Sequence, residues 1–485
     1  MSSLQPYYFK IDNRYICYKV NLYIQLYSEL IKMQTFIFSK ALLKSGWANN
    51  VYIEVDDQGQ IANISADYKG EAGDKVLGYA MPGMNNVHSH AFQRAMAGLA
   101  EYSTSKSDSF WTWRDLMYRF AQVITPEDLI SIAAQLYLEM LKAGYVSVGE
   151  FHYLHNSEHN TGDEMSHAIM TAADQTGLGL CHLPVLYMSA GFGGLTLNEK
   201  QKRFGHEVDE YLKLIENLNR KMSDQDNQHL GMAFHSLRAV PEDAIMQCLK
   251  DSAATGPIHI HISEQLQEVN DCLDWSGMRP VEWLYDHADV DEKWCLIHAT
   301  HLNDDEVSSI AKSGAVVGLC PTTEANLGDG LFPLTSFMEQ GGRIAIGSDS
   351  HVSISMIEEL RLLEYGQRLK NHSRNVATSK NDIHTGSYLY HENLSGGAQA
   401  SGFNNGSLEV GKRADIIVLD KSSPLLVGTP ERNIIDRFIF NGNVNPIKHV
   451  MVAGKMVISD YHHPLGDQIT AEFTATMIRL QKYLD

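Results

Sequence analysis

The chain is poor in cysteine, in long apolar runs and in positive charge, and each scarcity removes a class of protein. Its six cysteines, Cys17, Cys181, Cys248, Cys272, Cys295 and Cys320, are scattered and form no CxxC pair. Neither a disulfide framework nor a thiolate zinc site is therefore expected, and reduced, buried thiols are. No run of about 18 apolar residues is present to cross a bilayer, and no basic stretch leads into an apolar segment with a small-residue cleavage site. A cytoplasmic protein without a membrane partner is expected. The 39 Lys and Arg are outnumbered by 59 Asp and Glu, a formal net charge of -20. That balance speaks against a nucleic-acid partner, which needs clustered cations, and any anionic ligand must find a local basic pocket.

What is present is an ordinary globular composition, 44% hydrophobic and 20% charged over 485 residues. This length suits a barrel of about 250 to 350 residues with a smaller companion domain. Between Gly78 and His351 short apolar runs alternate with segments of helical period, the pattern of βα units around a parallel sheet. Eight such runs can be read: YAMPGMNNVHSH, YVSVGEFHY, LGLCHLPVLYM, LGMAFHSL, IHIHISE, CLIHAT, AVVGLC and RIAIGSDS. Eight parallel strands close a (β/α)₈ barrel. One connecting helix is marked by Thr125 as cap, Pro126 in the first turn, Gly144 as stop and a stripe of Leu129, Ala133, Leu136 and Met140. Asn303 with Glu306 marks the start of another.

Both flanks of the barrel read as short strands joined by Gly and Asp turns. We expect a peripheral extension over residues 1–32 and a discontinuous, sandwich-like β domain from residues 33–77 and 396–485, the latter ending in a helix. The barrel takes residues 78–395.

The strand ends carry the chemistry. His88 and His90 are two apart, so on a strand they project to one side and can grip one ion. An HxH pair alone is weak evidence, since a surface or core histidine is the commoner explanation. Here, however, His261 ends the fifth run, His298 the sixth and Asp349 the eighth, where barrel enzymes keep their catalysts. His259 shares the face of His261 and is expected inside the barrel. One divalent ion, by default Zn²⁺, would be held by His88, His90, His261 and Asp349; iron or manganese fits the same donors. Asp349 could also take the proton of an attacking water, Glu264 could carry it to a leaving nitrogen, and His298 could polarise the bond under attack.

PGMNNVHSH, HIHISE, IHAT and GSDS, with the closing GSLEVGKRADIIVLD, resemble the amidohydrolase superfamily. Many binuclear members carry a bridging lysine on the fourth strand; GMAFHSLRAV has none, so one metal is implied. Within the superfamily, HSHAFQRAMAGLAE, FWTWRDLMY, GEFHYLHN, HSLRAVP and GLCPTTEANLGDGLFPL resemble the formimidoylglutamate deiminase family from about Met33 onward. That resemblance implies hydrolysis of N-formimino-L-glutamate, a small dianionic substrate, to N-formyl-L-glutamate and ammonia, and a homodimer. Two carboxylates call for guanidinium groups, and Arg114 and Arg238 are the candidates. The family resemblance also places Gln93, Tyr153 and His235 around the substrate, while Phe110, Trp111 and Trp113 are expected to pack a loop over the pocket. The alternatives are a mononuclear deaminase of a purine, pterin or triazine ring, and a non-catalytic scaffold with the same fold.

Overall fold

The computed structural model describes residues 33–102, 110–156, 163–222 and 227–483. The expected extension over residues 1–32, with Cys17, lies outside the described residues, as do the side chains of Phe110, Trp111 and Trp113.

From the N-terminal side come β1 (Gln34–Leu43), β2 (Gly46–Val55), β3 (Ile61–Ser65) and β4 (Asp74–Pro82). The barrel follows as β5 (Met84–Ser89), β6 (Tyr145–His152), β7 (Gly179–Leu186), β8 (Gln228–Leu230), β9 (Met232–Phe234), β10 (Ile258–Ile262), β11 (Trp294–His298), β12 (Val316–Leu319) and β13 (Arg343–Ile346). The chain closes with β14 (Ile416–Leu419), β15 (Ile447–Val452) and β16 (Lys455–Ile458), then the helix Gly466–Leu480.

Barrel strands pair in the order β13-β12-β11-β10-β9-β7-β6-β5, with β8 alongside β7. The ring is drawn together where Ser89 bridges Asp349 in parallel, and the amide of Asp349 donates to the carbonyl of His88 at 3.0 Å. Strand β6 is buried along its whole length, as expected when helices cover a parallel sheet. The first apolar run divides at Gly83: Tyr79–Pro82 belongs to β4 in the other sheet, and only Met84 onward enters the barrel. The fourth run is likewise broken at Gly231, where a Cβ would come within 2.5 Å of the Pro257 carbonyl oxygen.

The other sheet is drawn from both chain ends, in the order β16-β15-β14-β4-β1-β2-β3. Pairing of Val418 with Ala80 and Ile417 with Met81 ties the two halves together. Alternation divides its residues: Phe36, Phe38, Val51, Ile53, Ile416 and Val418 make a core of their own. Met81, Ile417, Leu419 and Val450 face the barrel's core.

The helix Pro126–Lys142 begins with Thr125 and Asp128 capping each other and stops at Gly144, which has φ +91°. Its stripe of Leu129, Ala133, Leu136 and Met140 is fully buried. Asn303 and Glu306 form the expected reciprocal cap. No helix among the described residues is long and apolar enough to cross a membrane.

Candidate active site

Five groups converge at the carboxyl ends of the barrel strands. His88 Nε2 lies 3.0 Å from His261 Nε2 and 3.5 Å from Asp349 Oδ1. His90 Nε2 is 3.2 Å from the same carboxylate oxygen, and His298 Nε2 is 3.8 Å from Asp349 Oδ2. The chain reaches this arrangement through backbone that its sequence does not advertise. His298 (φ +67°), Asp349 (φ +46°) and Ser263 (φ +52°) all occupy the left-handed region without being glycine. Such strain, on the order of 1–3 kcal/mol per residue, is held by surrounding structure and clusters at functional sites. Gly347 permits the close approach: a Cβ there would fall 2.7 Å from the Cβ of His88.

Hydrogen bonds set which nitrogen each ring offers. His90 Nδ1 donates to the carbonyl of Phe151 at 2.9 Å, and His261 Nδ1 to the carbonyl of His235 at 3.0 Å. Both Nε2 atoms therefore turn lone pairs inward, the tautomer that an outer carbonyl imposes on a metal-binding imidazole. Burial lowers His88 to about 3 and His261 well below its usual range, so both are neutral. Burial works against ionised Asp349, but the facing imidazoles of His88 and His90 outweigh it and hold the carboxyl well below its ordinary value. Inward lone pairs facing a carboxylate make a donor set that fits a divalent cation. The ligand atoms of His88, His90 and Asp349 lie within 4.8 Å of one another, as do those of His88, His261 and His298.

His298 has the opposite electrostatics. Burial disfavours its charged form, yet Glu264, Glu324 and Asp349 outweigh burial and raise it to about 10. Its Nε2 is 3.9 Å from Glu264 Oε1, and its Nδ1 is 3.3 Å from Glu324 Oε1. Glu264 is raised, first by burial and then by its acidic neighbours, while His298 pulls the other way. The site thus pairs a cationic imidazole with carboxyls on both sides.

One cavity opens onto these groups, with room for about 50 Å³ of solvent. It brings together every substrate-binding residue expected from the sequence: Gln93, Arg114, Tyr153, His235 and Arg238, beside His90, His261, Glu264, His298 and Asp349. Gln93 Nε2 donates to the Tyr153 hydroxyl at 2.7 Å, and its buried Oε1 has no partner in the protein. Gln93 therefore keeps one acceptor, and Tyr153 its O–H, without a protein partner in this contact. His259 is buried away from the cavity, its Nε2 donating to the Ala400 carbonyl at 2.8 Å.

Several residues here carried no sequence expectation. Glu324 sits in the first turn of the short helix after β12 and also accepts from the Cys320 amide at 2.8 Å. Only its place in the CPTTEAN string, directly after a strand end, pointed to it. Tyr118, Tyr187 and Phe204 also line the cavity. Glu150 clamps the turn after β5: it accepts from the Ala91 amide at 2.7 Å, from Ser89 Oγ at 2.6 Å and from the Tyr137 hydroxyl at 3.1 Å.

The chain belongs to the amidohydrolase family, whose model matches residues 79–457. Residues 34–77 match the N-terminal domain of the formimidoylglutamate deiminase HutF. The chain is 48% identical over 435 residues to formimidoylglutamate deiminase of Pseudomonas aeruginosa, covering 89% of this chain and 96% of that one. Among solved structures, an amidohydrolase from Brucella melitensis superposes with a TM-score of 0.86 at 42% identity, over 92% of this chain and 100% of that one. The zinc complex of atrazine chlorohydrolase from Arthrobacter aurescens superposes with a TM-score of 0.79 at 18% identity, over 92% and 100% of the two chains. That last likeness is one of fold.

Proposed function

We propose that this chain hydrolyses N-formimino-L-glutamate to N-formyl-L-glutamate and ammonia. The observation that carries the reading is the pairing, in one cavity, of a cation-binding donor set with Arg114 and Arg238. The relative from Pseudomonas aeruginosa, similar over nearly its whole length, supports the same substrate.

His88, His90, His261 and Asp349 would hold one divalent ion, which we take to be Zn²⁺. When bound, such an ion polarises the reacting group and brings the pKa of water toward neutrality. The remaining work falls to the protein. Arg114 and Arg238 receive the two carboxylates, each guanidinium presenting a planar pair of donors. Tyr153 donates to a carboxylate, Gln93 accepts from a substrate N–H, and His235 orients the glutamyl portion. Asp349, ionised and facing both the attacking water and His298, takes the water's proton. His298, protonated, stabilises charge developing on the formimino group as the carbon becomes tetrahedral. Glu264 carries the water's proton on to the terminal nitrogen, and the hydroxyl proton of the tetrahedral carbon follows it as the C–N bond to that nitrogen breaks, so that ammonia leaves and the formyl C=O forms. Water and the formimino group are consumed; a formyl group and ammonia are formed.

Purine, pterin and triazine deaminases can share the donor set, but an uncharged ring has no use for two guanidinium groups. Five buried, unpaired cysteines among the described residues fit a reducing compartment, and we read the protein as cytoplasmic. A homodimer is part of the same reading, on family resemblance alone. The test is ammonia release from N-formimino-L-glutamate, N-formimino-L-aspartate and guanine, with the organic product identified. Release from the first with N-formyl-L-glutamate as product is expected; turnover of guanine alone, or formamide as product, would overturn the assignment.

A further inference from the structure

Part of the cavity wall is backed by a segment outside the barrel strands, which contributes Phe204 to the lining. Residues 198–206 are tied to two neighbouring loops. Gln122 Nε2 donates to the Lys200 carbonyl at 2.9 Å, and Arg203 Nη2 donates to the Ile124 carbonyl at 2.8 Å. Asn156 Nδ2 donates to the carbonyls of Lys202 and Gly205, both at 2.9 Å. These bonds drive two fully buried side chains inward, Gln201 and Phe204. Gln201 Nε2 donates to the Tyr187 hydroxyl at 2.9 Å and to the Tyr118 hydroxyl at 3.4 Å. Its own backbone and side chain are braced against Asn198, with both reciprocal bonds at 3.1 Å.

Phe204 stands between the tyrosines, its ring centroid 5.6 Å from that of Tyr118 and 6.1 Å from that of Tyr187. Tyr187 meets the His235 ring edge-on at 4.6 Å. On the other side, the Arg114 guanidinium lies over the Tyr118 ring, 5.2 Å from its centroid. Gln201 itself does not line the cavity, whereas Tyr118, Tyr187, Phe204 and Arg114 do. A long arginine side chain has several free torsions, and it reads a carboxylate bidentately only when its fork is held in place. Stacking on a ring that is itself anchored at its hydroxyl supplies that hold. The distance between this guanidinium and the reacting carboxylates of Glu264 and Asp349 then depends on where Gln201 fixes the tyrosines.

Resting on the reading above, we propose that Gln201, acting through Tyr118 and Tyr187, is the positioning residue that sets substrate length, selecting a five-carbon dicarboxylate over its four-carbon homologue. One methylene moves the distal carboxylate by about 1.3 Å, and misplacement on the order of 1 Å costs about a hundredfold in reactions that depend on alignment. A pocket whose wall is pinned can convert that difference into selectivity. A pocket whose wall relaxes cannot.

The experiment compares kcat and KM for N-formimino-L-glutamate and N-formimino-L-aspartate in the wild-type protein, Gln201→Met and Tyr187→Phe. The expected result is that both variants lose about tenfold or more of the glutamyl preference, carried by a higher KM for the longer substrate, with kcat within about threefold of wild type. Tyr187→Phe keeps the ring and its packing, so it reports on the hydroxyl contact even if Gln201→Met folds poorly. An unchanged preference in either active variant, with only the melting temperature lowered, would overturn the inference and leave the functional reading intact. Failure of the wild-type protein to release ammonia from either substrate would overturn the functional reading, and this inference with it.

Discussion

Substitution of Glu150 by glutamine should change the pH dependence of stability in a calculable way. Glu150 sits on β6, is 1% exposed, and accepts three hydrogen bonds that pin the turn carrying His88 and His90. Burial raises its carboxyl from 4.5 to about 7, with the donors Ala91, Ser89 and Tyr137 and the nearby His90 pulling back only part of the shift. The folded value lies above the unfolded one, so between these pH values the native state keeps a proton that the unfolded chain releases. Stability from this group is present at low pH and is lost as pH rises through that window. At 1.36 kcal/mol per pKa unit the full effect is about 3 kcal/mol, of which roughly 2.5 kcal/mol falls between pH 5 and pH 8. An amide mimics the protonated acid: its oxygen can accept from the Ala91 amide, and its NH₂ can donate to the two hydroxyls. Urea unfolding of wild type and Glu150→Gln at pH 5, 6.5 and 8 should therefore show the variant gaining about 2.5 kcal/mol relative to wild type across the series. A difference that stays flat would mean that burial does not perturb Glu150, and the account of this clamp would be wrong.

Replacing Arg114 or Arg238 with methionine should each cost about 2–3 kcal/mol in kcat/KM for N-formimino-L-glutamate, one to two orders of magnitude, mostly through KM; unchanged kinetics in both would remove the dianion from the account. Glu324→Gln takes one carboxylate from beside the His298 imidazolium, so kcat should fall about tenfold or more while metal content stays at the wild-type level. Equal loss of metal and activity would instead place Glu324 in the support of the ion. Asn303→Ala removes half of a reciprocal helix cap and should lower stability by about 1 kcal/mol, read by urea unfolding, with ammonia release unaffected.

The readable part of this protein was what repeats or sits at strand ends. Eight short apolar runs marked the barrel strands, without the breaks at Gly83 and Gly231, and His88, His90, His261, His298 and Asp349 stood where those runs stop. Arg114 and Arg238 followed from the chemistry of a dicarboxylate once the family resemblance supplied one, and both do line the cavity. The rest lay in contacts between residues far apart in sequence, for which no local pattern exists. Ser89 meets Glu150 across 61 residues, and Gln201 meets Tyr118 across 83. The left-handed backbone at His298 and Asp349 was silent as well, because the usual marker, glycine, is absent at both positions. The division of the first run at Gly83 has no local marker because a single residue separates the two strands and only tertiary pairing assigns them to different sheets.

The central claim is that one ion, held by His88, His90, His261 and Asp349, supports the deimination. The most direct measurement is ammonia release from N-formimino-L-glutamate by chelator-stripped protein titrated with Zn²⁺. The account predicts negligible release at the start and a linear rise that saturates at one equivalent per chain. Full release by the stripped protein, or saturation only at two equivalents, would contradict it.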